Sequence, residues 1–117
     1  MTQSFTIWHN PRCSKSRAGL KYLQERGIEP KIVRYLDAPP TADMIRDTLA
    51  KLNCTPRELM RTQEAIYREL KLKAVADDHA LIEAMATHPK LIERPIVFCG
   101  KRAVVGRPAE AIEVLLS

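Results

Sequence analysis

Acidic side chains are missing from two stretches of this 117-residue chain. None precedes Glu25, and none lies between Arg94 and Ala109. Residues 1–21 carry Arg12, Lys15, Arg17 and Lys21, and residues 94–109 carry Arg94, Lys101, Arg102 and Arg107, so each stretch has a net charge of +4 against +5 for the whole chain. If the two stretches meet in the fold, they make an anion site. Long apolar runs are also missing; none approaches the roughly 20 residues that span a bilayer. The N-terminus has no basic segment followed by an apolar core, so no signal peptide is read and a cytoplasmic location is the expectation. There are only three cysteines, Cys13, Cys54 and Cys99, with no CxxC spacing. That excludes a disulfide framework and fits a reducing compartment. No RNP-like aromatic motif, zinc-finger spacing or basic repeat is present, so the charge does not point to nucleic acid. No His/Cys/Asp/Glu set has metal-ligand spacing, and no metal is expected. Repeats, low-complexity tracts and long linkers are absent, and residues 1–117 are read as one domain.

What is present is a chain of short, well-punctuated elements. Residues 4–8 alternate as a first strand. Residues 14–26 follow as a helix stopped by Gly27, a typical position for glycine after a helix. Residues 31–36, β-branched and aromatic, are a second strand, so the chain opens as a parallel β-α-β unit. Pro39-Pro40-Thr41 breaks the chain and caps a helix with Ile45, Leu49 and Leu52 at helical spacing. Thr55-Pro56-Arg57-Glu58 is a capping box with proline at the first helical position, and its helix ends near Met60. A further short helix is expected over 63–70. Another starts at Asp77-Asp78, has Leu81, Ile82 and Met85 on one face, and ends before Pro89. Residues 95–99 are a third strand, Gly100-Lys101 a two-residue turn, and residues 102–106 a fourth, antiparallel strand. Pro108, placed at the first helical position, opens a last helix with Ile112 and Leu115 inward.

The chemistry concentrates in His9-Asn10-Pro11-Arg12-Cys13-Ser14-Lys15-Ser16-Arg17. Cys13 sits where the first strand turns into the first helix. Free amides and the positive end of the helix dipole gather there, which favours a thiolate nucleophile and gives an anion a place to bind. Ser14 and Ser16 are candidate donors to that anion or helix caps, and Arg17 adds charge. His9 either tunes Cys13 or packs on the sheet. A Cys-His protease-like pair lacks an identifiable orienting group. A phosphatase-type loop needs arginine six residues after the cysteine, and residue 19 is glycine. Ser16 stands where a second, resolving thiol would be, so the second thiol must come from outside, as from glutathione.

The element order is α/β and thioredoxin-like: a four-stranded mixed sheet built as β-α-β then β-β-α, with a helical insertion at about 40–88. With these elements placed, the chain resembles the glutaredoxin-linked arsenate reductases. The resemblance rests on residues 9–17, Tyr35 to Thr41, Arg57-Glu58-Leu59-Met60-Arg61, His88 to Val97 and Gly106-Arg107-Pro108, in that order. It implies that Cys13 attacks arsenate, that Arg61, Arg94 and Arg107 hold the oxyanion, and that glutathione and glutaredoxin recycle the cysteine, with no bound cofactor. His9, Asn10, Ser14, Ser16 and Arg17 would support the site. The thioredoxin comparison further suggests a cis Arg94-Pro95 bond facing the cysteine. Ser14-Lys15 departs from the Gly-Thr of better-studied members. The competing expectations are a thiol-based regulator, whose branch carries the CxxC that Ser16 breaks, and a general monothiol oxidoreductase without arsenate turnover.

Overall fold

Alternation in Phe5-Thr6-Ile7-Trp8 becomes strand β1 (Phe5–Trp8) in the computed structural model, which describes residues 4–116. Helix α1 (Ser14–Glu25) leads from it to β2 (Lys31–Val33), which pairs parallel with β1. Strand β3 (Ile96–Cys99) pairs antiparallel with β1, and β4 (Arg102–Val105) antiparallel with β3, so the sheet order is β2-β1-β3-β4. This is the expected α/β, thioredoxin-like mixed sheet. Together with α1 and a final 3-10 helix (Ala109–Leu115), it makes the first of two units, formed by the chain up to Ala38 and the chain from Arg94.

Side-chain alternation divides the sheet faces. Ile7, Val97 and Cys99 point to one face and join Leu23 of α1 with Ile112 and Leu115 in a single buried cluster. Each such side chain contributes about 1.5–3 kcal/mol when fully buried. On the other face Trp8 packs against Tyr35 and Phe98, with ring centroids 6.4 and 5.1 Å away.

Three details differ from the sequence reading. Strand β2 stops at Val33 rather than running to Leu36, because the Arg34 carbonyl accepts from the Asp37 and Ala38 amides and turns the chain. The last helix is a 3-10 helix, in which residues three apart eclipse, and Ile112 and Leu115 fall together into the core. Pro108 stands one residue earlier than expected, at the N-cap.

The second unit, Pro39–Glu93, is the helical block. It contains α2 (Ala42–Leu52), α3 (Pro56–Leu59), α4 (Ala65–Glu69) and α5 (Asp78–Thr87), with 3-10 turns at Leu72–Ala74 and Pro89–Leu91. Thr41 Oγ1 caps α2 by accepting from Met44 N, and Thr55 and Glu58 form the expected reciprocal capping box on α3. Helix α5 packs on α2 and α3, burying Ile45, Leu49, Leu81, Ile82 and Met85. The helix expected over 63–70 shortens to α4, and Lys71 then takes a left-handed conformation (φ 55°). Arg57 ties the following segment down, donating to Tyr67 Oη and to the carbonyls of Leu72 and Val75. Among the described residues no helix is long and apolar enough to cross a membrane.

Candidate active site

Strand register decides which loops come together. Trp8 lies beside Ile96, and Ile96 beside Val105. The chain leaves β1 after Trp8, enters β3 before Ile96 and leaves β4 after Val105. Residues 9–13, Arg94-Pro95 and Gly106-Arg107 therefore emerge at one end of the sheet. Gly106 N donates to Pro95 O at 2.8 Å, fastening the last two together. Arg94-Pro95 is cis, as expected, and Arg107-Pro108 is cis as well. The second acid-free stretch is thereby split. Arg94 and Arg107 lie at the Cys13 end, whereas Lys101 and Arg102 lie at the hairpin turn at the opposite end. Arg102 Nη1 and Nη2 donate there to the carbonyls of Val114 and Leu115, both at 3.1 Å.

Cys13 is the N-cap residue of α1, half-buried, with extended backbone angles and no side-chain capping bond. Ordinarily a Ser, Thr, Asp or Asn oxygen at this position accepts from the first-turn amides. Here a sulfur occupies it. The first helical bond is Arg17 N to Cys13 O, at 2.9 Å, so the amides of Ser14, Lys15 and Ser16 precede the ladder. An anion placed there meets amides and the helix dipole together.

The loop before Cys13 is tied at every turn. Cys13 N donates to Asn10 O at 3.0 Å, and Arg12 N to Asn10 Oδ1 at 3.0 Å. Arg17 Nη1 donates to Pro11 O at 2.9 Å. Ser16 Oγ, fully buried, accepts from Asn10 N at 2.9 Å and lies 2.7 Å from His9 Nδ1. One proton lies in the Ser16–His9 contact, given by the hydroxyl or by the ring nitrogen according to the histidine tautomer. His9 is buried, and its pKa is lowered by that burial and then by the charges of Arg34 and Arg17. Neutral His9 and Ser16 thus hold the loop in shape. Ser14 is exposed on the first helical position.

Arg94 is built differently from the other cations. Its Nε and Nη1 are buried and have no hydrogen-bond partner among the described residues. Leaving a buried donor unsatisfied costs about 1–3 kcal/mol, more when it is charged. An acceptor brought to those two atoms would remove that cost. Arg107 is exposed and already makes an interaction of its own. Arg61 belongs to the second unit, where its amide donates to Leu91 O at 2.7 Å and its side chain meets Glu64 and Glu93.

The other two thiols have the opposite setting. Cys54 has its pKa raised, first by burial and then by Glu58, and Cys99 is buried in the sheet core. One residue of the site escaped the sequence reading: Gly19, on α1. A Cβ there would lie 2.8 Å from Pro95 Cγ, so the missing side chain is what lets α1 approach the Arg94-Pro95 segment. A glycine inside a helix costs roughly 0.5–1 kcal/mol relative to alanine, and that cost was the available signal.

The ArsC family model matches residues 8–115 of this chain. An arsenate reductase of Neisseria meningitidis is 49% identical over 112 residues, covering 94% of this chain and 96% of that protein. An arsenate reductase of Escherichia coli is 38% identical over 114 residues, covering 97% of this chain and 81% of that protein. Among solved structures, an arsenate reductase from Vibrio cholerae has a TM-score of 0.93 at 43% identity, covering 97% of this chain and 99% of that one.

Proposed function

The chain belongs to the ArsC family, and we propose that it reduces arsenate to arsenite through a Cys13 thiolate, with glutathione as co-substrate and glutaredoxin as the recycling partner. The observation that carries this reading is Arg94: a half-buried side chain whose Nε and Nη1 are buried without a hydrogen-bond partner among the described residues, at the same end of the sheet as the nucleophile-bearing helix start. Oxyanion binding supplies the acceptors those donors lack, and a planar guanidinium suits the edge of a tetrahedral anion. Arg107 flanks the same end, and Arg61 is assigned to the oxyanion by the family resemblance.

The chemistry runs in three steps. Cys13 Sγ bonds to arsenic(V) and an arsenate oxygen leaves as water after protonation. Donors that offset the substrate's charge allow one anion to approach another. A glutathione thiolate then attacks Cys13 Sγ, the S–As bond breaks, and its electron pair stays on arsenic, which leaves as arsenite. Two thiols have supplied two electrons and formed a Cys13–glutathione disulfide. Glutaredoxin takes the glutathione by thiol–disulfide exchange and returns Cys13 as a thiolate. With Ser16 fully buried and hydrogen-bonded, position 16 is a scaffold for the loop, and resolution falls to the external thiol. This chemistry requires a reducing, glutathione-containing compartment, and the cytoplasm is the location we assign.

The test is arsenate-dependent NADPH oxidation by the purified protein with glutathione, glutaredoxin and glutathione reductase. Wild-type protein should show it, and Cys13→Ser should not, since a hydroxyl is a far poorer nucleophile than a thiolate at neutral pH. Cys54→Ser and Cys99→Ser should retain it. Arsenate binding without turnover above the Cys13→Ser control would refute the enzymatic reading and favour a thiol-based regulator or a monothiol oxidoreductase.

A further inference from the structure

The chain has four glycines, and they divide by what each requires. Gly27 (φ 76°) and Gly100 (φ 60°) take the left-handed backbone of turns, and a Cβ on either would meet nothing within 4 Å. Gly19 and Gly106 have no such φ; what they lack is space. A Cβ on Gly106 would lie 3.2 Å from Pro95 Cγ and 3.2 Å from both Cδ1 and Cγ1 of Ile112. A Cβ on Gly19 would lie 2.8 Å from the same Pro95 Cγ. The two glycines that no turn requires therefore close on one proline ring, the one that follows Arg94.

That ring cannot step aside. Pro95 is buried, and its Cγ belongs to a ring closed onto its own backbone nitrogen, so no side-chain rotation takes it away. Ile112, against both glycines, is fully buried. Gly106 N also holds Pro95 O at 2.8 Å. At 3.2 Å the neighbours of a new Cβ must give by a few tenths of an ångström. Close-packed interiors transmit such a push, so it displaces the Pro95 backbone and Arg94 joined to it. Arg94 Nε and Nη1 are buried without a partner among the described residues, and a planar fork pairs with an oxyanion only in a narrow range of positions. Resting on the reading above that Arg94 receives the oxyanion, we propose that Gly106 is a positioning residue. By carrying no side chain it keeps the Pro95 ring, and through it the Arg94 guanidinium, in place for the substrate. A misplaced guanidinium meets substrate and transition state equally badly, so the effect enters KM and leaves kcat alone.

The experiment titrates the full-length protein with sodium arsenate by calorimetry, in a Cys13→Ser background that allows no turnover. Gly106→Ala should raise Kd about fivefold. Adding Ile112→Val removes the Cδ1 that the new methyl meets, and should return Kd to within about twofold of the parent. Ile112→Val alone deletes a buried methyl and lowers stability, yet should leave Kd within about twofold. That control separates the placement of Arg94 from a loss of stability. In an Arg94→Lys background Gly106→Ala should change Kd by less than about twofold, because a flexible point charge tolerates a shift that a planar fork does not. In protein with Cys13 intact, KM should rise by the same factor as Kd with kcat unchanged. An unchanged Kd in Gly106→Ala would overturn the proposal. An equal rise in the Arg94→Lys background would also overturn it, since the effect would then run through another group such as the adjoining Arg107. If thermal melts show Gly106→Ala unfolded, Gly19→Ala, which meets the same ring, decides by its Kd with Arg94 and with Arg94→Lys. The two readings fail separately. Arsenate binding without turnover refutes the enzymatic reading and leaves the Kd comparison standing. Wild-type turnover with a Kd that Gly106→Ala does not raise refutes only the role of Gly106. Absence of any arsenate binding refutes both.

Discussion

The two ends of the sheet both carry arginines, and they use them in opposite ways. At the hairpin end Arg102 donates twice to the carbonyls closing the last 3-10 helix, and Arg26 lies over the Tyr22 ring, 3.4 Å from its centroid, with Glu113 3.6 Å from its Nε. Those guanidiniums tie one element to the next. At the Cys13 end Arg94 keeps Nε and Nη1 buried without an acceptor among the described residues, at the same end of the sheet as a helix start whose amides precede the ladder. A cation with its donors satisfied is a structural tie, and one with buried donors left over is, in the reading proposed above, the receptor for an anion. Net charge does not separate the two ends; the fate of each N–H group does.

Replacing the same residue type at each end gives the largest expected contrast. Arg94→Lys should lower kcat/KM for arsenate by about a hundredfold, because a lysine keeps the charge and loses the planar fork. Arg102→Lys should leave it within about twofold and cost under roughly 1 kcal/mol of stability in a denaturant melt. Equal losses in the two variants would erase the distinction between the ends.

A smaller effect is expected from Gly19→Ala. The new Cβ meets the Pro95 ring at 2.8 Å, and overpacking of this kind costs typically 1–3 kcal/mol. Better helix propensity returns up to about 1 kcal/mol, so a net loss near 1 kcal/mol is expected. Pro95 follows Arg94, so KM for arsenate should rise with it. A variant destabilised but unchanged in KM would show that Gly19 serves packing alone.

The smallest effects are in pH. His9, at the Cys13 end, has a folded pKa below its ordinary 6.5, so the unfolded chain binds its proton first as pH falls. Its contribution is complete above about pH 6.5 and is lost as pH falls from there through the folded value. Tyr22, toward the other end, has its pKa raised above 10.0, chiefly because its hydroxyl donates to Glu113. Its contribution is complete below about pH 10 and is lost as pH rises through the folded value. Denaturant midpoints of wild type and His9→Gln should converge on acidification from pH 7.5 to 5.5, and those of wild type and Tyr22→Phe on raising the pH past 10. A constant gap in either series would remove that group's role.

Local rules explain which parts were legible from sequence. The Thr55–Glu58 capping box and the glycine stop at Gly27 are set by neighbours within a turn, and both are present. The mixed four-stranded sheet was readable because a β-α-β unit and a two-residue hairpin leave few topologies. What stayed hidden depends on groups distant in sequence. The Ser16 hydroxyl could serve an anion or a cap by sequence, and only the folded loop sends it to His9 and Asn10. Arg61, Arg94 and Arg107 look alike as arginines in family motifs. One is held by two carboxylates, one has unsatisfied buried donors, and one is exposed, because tertiary neighbours decide. The split of the second basic stretch was equally invisible, since it follows from where the hairpin reverses.

The central claim is that Cys13 reaches the disulfide state by way of arsenate. A single-turnover experiment tests it most directly: protein, arsenate and glutathione are mixed without glutaredoxin, and the adducts and arsenite are measured by mass mapping and arsenic speciation. We expect one arsenite per Cys13–glutathione disulfide, with neither product formed when arsenate is left out. Disulfide forming on Cys13 at the same rate without arsenate, or arsenite forming with Cys13 unmodified, would contradict the account.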